Sequence, residues 1–142
     1  MFELHPQLAA DTVTVGNLPL CRVLLMNDSQ YPWIILVPQR SKVREIYQLS
    51  AADQRACWQE SAMISELMMQ HFKGDKLNVA ALGNLVPQLH IHHIVRFETD
   101  SAWPQPVWGV APAIPYSSSQ LAILKGLLTR KIQSTNKDFE PC

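Results

Sequence analysis

Trp33 to Val37 reads WIILV, an unbroken apolar run of β-forming residues. Five such residues with no polar alternation describe a strand buried on both faces. Pro38 ends it. Upstream, Thr12 to Val15 and Leu20 to Met26 (LCRVLLM) read as the arms of a hairpin, with Asn17-Leu18-Pro19 as its turn. Asn27 to Pro32 (NDSQYP) has the composition of a loop. The period then changes. Cys57, Ile64, Leu67 and Met68, with Trp58, form an apolar side at helical spacing, so a helix is predicted over Ala51 to Phe72. Ser50 supplies its N-cap, with Asp53 three residues on. Lys73-Gly74 is the stop signal, glycine taking the left-handed position.

Strand patterning returns at Leu77 to Leu82 (LNVAAL) and Leu89 to Phe97, joined through the short Gly83 to Pro87 connection as a second hairpin. Ala102 to Pro115 carries Pro104, Pro106, Pro112 and Pro115 with Trp103 and Trp108, and is expected to be irregular and packed through its tryptophans. Ser117 to Ser119 can cap a last helix whose stripe is Leu121, Leu124, Leu127 and Leu128. Residues 134–142 are polar and expected to fray. Strands, helix, strands, helix describe an α+β fold: an antiparallel sheet meander with one long central helix and a C-terminal helix. One domain over residues 1–142, with a core of about 10–133, is the expected organisation. No βαβ alternation and no glycine-rich phosphate loop occurs, which excludes Rossmann and P-loop readings.

Composition narrows the partners. Hydrophobic residues make up 47 %, enough for a core, and the formal net charge is +0. Nothing resembles the basic stripe that follows a phosphate backbone, so a nucleic acid polymer is not expected, whereas a small nucleotide is compatible. The most basic stretch, Gln39 to Arg44 (QRSKVR), reads as a solvated loop. Cys21, Cys57 and Cys142 are too far apart for a CxxC pair and suggest reduced thiols in a cytoplasmic protein. The N-terminal residues have no signal-peptide pattern, and no apolar stretch has the length of a membrane span.

The chemistry gathers after Gly83, where the chain reads GNLVPQLHIHHIVRF. Alternate strand residues share a face, so Gln88, His90, His92 and Ile94 are expected on one side, the two imidazoles about 7 Å apart. His93 points the other way and is expected to be a half-buried or surface packing residue. Three readings of the shared face stand open. It can be a solvated strand face. It can be a metal site, although glutamine is a poor ligand, His71 has a helix C-terminus to explain it and His5 lies in the N-terminal segment. It can be a nucleophilic site, because neutral imidazole attacks phosphorus and a neighbouring imidazole can handle phosphate oxygen or the leaving-group proton.

The stretch resembles the histidine triad (HIT) superfamily of nucleotidyl hydrolases and transferases, whose motif is His-φ-His-φ-His-φ-φ, with φ apolar, after a Gly-Gln-x-Val-x lead. Gly83, Val86, His90, His92, Ile94 and Arg96 fall on matching positions. NDSQYPWIILVPQR resembles the nucleoside-side segment, IYQLSAADQ the approach to the long helix and, more loosely, AWPQPVWG a C-terminal feature of some bacterial members. The similarity spans Leu20 to Arg96. It implies an antiparallel sheet flanked by two helices, a homodimer, and a small nucleotide partner such as a purine nucleoside phosphate or a dinucleoside polyphosphate. It implies His90 as the nucleophile at the α-phosphorus and His92 as the phosphate-contacting, charge-stabilising histidine, with no metal and no cofactor. It aligns Gln88 with the absent first histidine, where an amide can hydrogen-bond but cannot take a proton. It sets Asn84 at the usual glutamine and Leu85 where a serine or threonine is common. It puts Asn27 or Asp28 near the ribose hydroxyls and Asn78 near a phosphate. Trp33 and Ile35 are expected to fill core. Two rivals stand beside this: a nucleotide-binding or interaction module with little catalysis, which the departures motivate, and a metal-dependent enzyme using His90 and His92.

Overall fold

The computed structural model describes residues 1–142. In chain order the elements are α1 (Pro6–Asp11), β1 (Thr12–Asn17), β2 (Cys21–Met26), β3 (Trp33–Pro38), α2 (Ala51–Phe72), β4 (Lys76–Ala80), β5 (Ile91–Arg96), α3 (Ser118–Thr135) and β6 (Glu140–Pro141), with a 3-10 turn at Ile46–Gln48. The strands form one antiparallel six-stranded sheet in the order β4-β5-β3-β2-β1-β6. The expected α+β meander is present, with β3 in its interior and all six of its residues buried.

Strand alternation divides the core into two layers. Ile34 and Leu36 face a cluster that includes Ile64 and Met68 of α2, Leu128 of α3, and Ile91 and Val95 of β5. Trp33, Ile35 and Val37 face the other way, with Leu8 of α1, Ile94, Ala102 and Val107. The two long helices therefore cover one face, while α1 and the tryptophan-proline segment cover the other. The register sets Ile35 against His92 and Ile34 against His93, so the two histidines lie in different layers. His93 is on the α2 side, as alternation requires, but it is fully buried rather than half-exposed. Its Nδ1 donates to Ile91 O at 3.1 Å, and its Nε2 accepts from Ser61 Oγ at 2.7 Å.

Helix α2 begins as expected, Ser50 Oγ accepting from Asp53 N at 3.1 Å. Its end differs in detail. Lys73, at φ 55°, takes the left-handed position. Gly74 instead admits the sheet, since a Cβ there would lie 2.2 Å from Val95 Cγ1. Trp58 is 52 % exposed and does not join the core stripe.

Two terminal expectations are corrected. The core extends upstream of residue 10, because Pro6–Asp11 forms α1 and Leu8 is buried. Pro6 starts that helix and the His5 Nδ1 accepts from Gln7 N at 3.1 Å. Six residues are too few to display a helical period. The C-terminal residues do not fray either. α3 continues to Thr135, and β6 then pairs with Gly16 and Asn17 of β1. The buried Phe139 ring anchors this return where Gly16 has no side chain; a Cβ there would lie 2.4 Å from Phe139 Cζ.

Cys21 and Cys57, 36 positions apart (57 − 21), meet in the core as free thiols. Cys57, burial and Glu60 push the Cys21 thiol far up, so it stays protonated. Beyond β5, Arg96 grips Asp100 through two bonds of 2.8 and 3.0 Å and donates to Asn78 Oδ1 at 2.9 Å. The guanidinium holds the Asp100 carboxyl down at about 2. No helix is long and apolar enough to cross a membrane.

Candidate active site

Strand β5 begins only at Ile91, so the residues before it are free of strand alternation. At that entrance the chain bends, and the His90 Nδ1 lies 2.7 Å from the main-chain carbonyl oxygen of Gln88. A carbonyl only accepts, so Nδ1 carries the proton. The lone pair of the neutral ring is then on Nε2, the other end of the imidazole. Gly83 makes this packing possible: a Cβ there would sit 2.7 Å from His90 Cε1. The side chain of His90 is 95 % withdrawn from solvent (5 % exposed).

His92 is fixed at both nitrogens. Trp33 Nε1–H donates to its Nδ1 at 3.1 Å, and its Nε2 lies 2.9 Å from Leu82 O. An indole can only donate and a carbonyl can only accept, which assigns the proton to Nε2. Burial pushes the pKa of His92 down to about 4, with His90 and His93 adding to the fall and the Leu82 bond opposing it. The ring is therefore neutral at pH 7. His90 and His92 pack edge to face at 4.9 Å between centroids, and Trp108 meets His92 at 5.1 Å. Trp33 completes the aromatic wall, 6.0 Å from Trp108.

These residues border a cleft of about 390 Å³ on the face away from α2. Leu8, Met26, Trp33, Ile35 and Trp108 make it apolar, and the 82–86 loop closes one end. Asn84 stands on that loop, as does Leu85, which is 96 % exposed. Asp11, at the end of α1, also borders the cleft. A larger depression of about 520 Å³ lies near the ends of α2 and α3, away from these histidines.

The other residues singled out from sequence are placed elsewhere. Asn27 Oδ1 accepts from Tyr116 N at 2.9 Å. Asp28 is buried, and its Oδ1 accepts from Gln30 N and Gln30 Nε2, each at 3.1 Å, and from Ile114 N at 3.3 Å. Both side chains tie the β2–β3 loop to the segment after Trp108. Asn78 holds Arg96 on the outer strand β4. Trp33 and Ile35 fill core as expected and Trp108 packs against them, and all three also line the cleft. An apolar strand run carries no mark that separates a core position from a cleft wall. No group of three or more His, Cys, Asp or Glu side chains is placed to share an ion.

The Gln88 side chain reaches the N-terminal segment, not His90. Its Oε1 accepts from His5 N at 2.9 Å and its Nε2 donates to Glu3 O at 2.8 Å. An amide that pairs with the carbonyl of one residue and the N–H two positions on acts as a neighbouring strand would. Gln88 thus links two things: its main chain orients His90, and its side chain straps residues 3–5, which lead into Leu8 and Asp11. An imidazole has its nitrogens on diverging axes and cannot make this paired contact. Gln88→Ala and Gln88→His are both expected to release the strap, costing about 1 kcal/mol for one part-buried and one exposed bond. Amide exchange at His5 should accelerate by at least tenfold in either variant. Wild-type protection at His5 in Gln88→His would overturn this.

A family model described as the HIT domain matches residues 7–99. The chain belongs to the HIT family. The match extends past the segment of similarity evident in the sequence at both ends. A histidine triad protein from Marinobacter aquaeolei is 54 % identical, with a TM-score of 0.92 over 94 % of this chain and 98 % of that one. One from Bradyrhizobium japonicum is 44 % identical, with a TM-score of 0.90 over 92 % and 98 %. One from Sinorhizobium meliloti is 37 % identical, with a TM-score of 0.89 over 92 % and 97 %. No curated protein matches the chain. In this chain Gln88 and His90 lie just before β5 and His92 lies within it.

Proposed function

We propose that this HIT protein is a nucleotidyl hydrolase or transferase whose nucleophile is His90. The observation that carries the reading is the 2.7 Å contact between His90 Nδ1 and Gln88 O, which leaves Nε2 as the unprotonated, attacking nitrogen. The base of a small nucleotide, a purine above all, lies in the apolar cleft against Trp33, Ile35 and Trp108. Its α-phosphate then lies at His90, with Asn84 and the main chain of the 83–86 loop beside it.

Nε2 attacks the phosphorus, a P–N bond forms, and the bond from phosphorus to the leaving group breaks. Water, or another acceptor, attacks the nucleotidyl-histidine and returns His90 to its starting form. Phosphate arrival substitutes a phosphate oxygen for Leu82 O as the acceptor of His92 Nε2–H, so a neutral dipole meets the charge that builds on oxygen. Gln88 is a positioning residue acting through its carbonyl. Asn27, Asp28 and Asn78 shape the site through the contacts they already make. The protein works as a homodimer in a reducing, cytoplasmic compartment; light scattering on the purified chain tests the dimer.

The test is acid-quench mass spectrometry during turnover of a nucleoside phosphoramidate or dinucleoside polyphosphate. A nucleotidyl mass increment on the peptide containing His90 is expected. Turnover with the increment on another residue would sink the assignment. A second reading, binding without chemistry, is favoured by Leu85, which offers the phosphate loop no hydroxyl. Tight nucleotide binding with no adduct and no turnover would select it.

A further inference from the structure

His90 and His92 stand side by side with their protons on opposite nitrogens. The Gln88 carbonyl keeps the His90 proton on Nδ1, whereas His92 carries its own on Nε2. The difference originates with Trp33. Its indole N–H lies 3.1 Å from His92 Nδ1, and the two residues are buried, at 5 % and 6 % exposure. An indole has a donor and no acceptor. It therefore refuses both the tautomer with a proton on Nδ1 and the doubly protonated ring. A hydroxyl or an amide at the same place would permit either, since each can also accept. Trp33 is also held in place. It pairs with Ile94 across the sheet, and its ring meets Tyr31, His92 and Trp108 edge to face, at 6.4, 5.6 and 6.0 Å between centroids.

This polarity is the reverse of the Ser-His-Asp arrangement, in which a carboxylate accepts from Nδ1–H and stabilises an imidazolium. The hydrogen-bond partners of the His92 ring are Trp33 and Leu82, and neither is a carboxylate. In the free protein the two contacts specify the same tautomer. Once a phosphate oxygen has replaced Leu82 O, the Trp33 contact alone guards Nδ1. An anion beside Nε2 favours a second proton on the ring. The occupied lone pair of Nδ1 denies that proton a place, and burial opposes it as well.

We propose that Trp33 is a positioning residue for nucleotidyl transfer: its N–H keeps His92 a neutral Nε2–H donor to the phosphate, so that the two imidazoles hold separate tasks, attack and hydrogen-bond donation. This rests on His90 acting as the nucleophile and on the phosphate meeting His92. The test places benzothienylalanine at position 33, which keeps the bicyclic shape and has sulfur where the indole has N–H. The kcat for a dinucleoside polyphosphate is expected to fall about tenfold, less than the loss of a direct donor would cost, with KM within about twofold of wild type. Trp33→Phe lacks the N–H and part of the ring, and should show the same fall in kcat with a higher KM. Nitrogen NMR of each protein bound to adenosine monophosphate supplies a readout that packing alone would not move. His92 Nδ1 should carry no proton in the wild type and should gain one in both variants. Undiminished kcat in the benzothienylalanine variant would overturn the proposal. So would an Nδ1 that stays unprotonated in both variants, since the loss would then come from packing, or an Nδ1 proton in the wild-type complex. A His90→Ala variant run in parallel isolates the underlying reading: undiminished turnover there removes the nucleophile and this inference with it, and so does a wild type that neither binds the monophosphate nor turns over.

Discussion

His90→Ala is expected to lower nucleotidyl turnover on the order of ten-thousandfold, a loss typical of removing a covalent nucleophile. The size follows from the route. Without Nε2 the two-step path through a P–N bond is closed, and only direct attack by water on the bound phosphate remains. Binding should change little, because the apolar wall is made by Trp33, Ile35 and Trp108 and none of them hydrogen-bonds to His90. The loss should therefore fall on kcat, with nucleotide affinity by calorimetry within about threefold of wild type. His90→Gly with added imidazole provides a second check, since the truncated position opens beside Gly83, where a free ring can enter. Retention of more than a tenth of wild-type kcat in His90→Ala would rule out nucleophilic catalysis at this residue.

The second large effect concerns acid. Burial holds both His92 and His93 down to about 4, from an ordinary value of 6.5. For a histidine whose folded pKa is depressed, the unfolded chain binds protons that the folded chain refuses. The stability linked to the two rings is therefore fully present above pH 6.5 and declines as pH falls toward 4. Each ring contributes a slope approaching about 1.4 kcal/mol per pH unit in that window, and together they should cost about 2.5 kcal/mol between pH 7 and pH 5.5. Urea midpoints across that range measure it. His93→Leu should remove about half of the slope, whatever it does to absolute stability. A midpoint that stays level down to pH 5.5 would mean that the rings titrate near their ordinary value.

Where local rules decide the backbone, the sequence was legible. Ser50 starts α2, and the apolar run at Trp33 marks a buried strand. Period-two alternation separated His93 from His92, and the register confirms the two layers. The motif resemblance identified the HIT family before any geometry. What sequence concealed was direction and pairing. Alternation was extended back to Gln88, but Pro87 and the bend at 88 precede the strand, so that side chain turns to the N-terminal segment instead. Asp28 has the chemistry to meet ribose, yet its Oδ1 accepts from Gln30 and from the main chain of Ile114, the latter across 86 positions. Trp33 and Trp108 each read as packing because their meeting at His92 depends on tertiary closure. The short α1 and the two-residue β6 are too brief for any period to announce them.

The return of the C-terminus gives the sheet unequal ends. On one side β6 caps β1 with two residues, one of them Pro141, which has no N–H to offer another strand. On the other, β4 presents the outer rail of a five-residue strand. Strand-to-strand growth is thus possible in one direction only. Two copies joined rail to rail through β4 would use up both growing ends at once, so association along the sheet terminates at a pair and cannot propagate into a fibre.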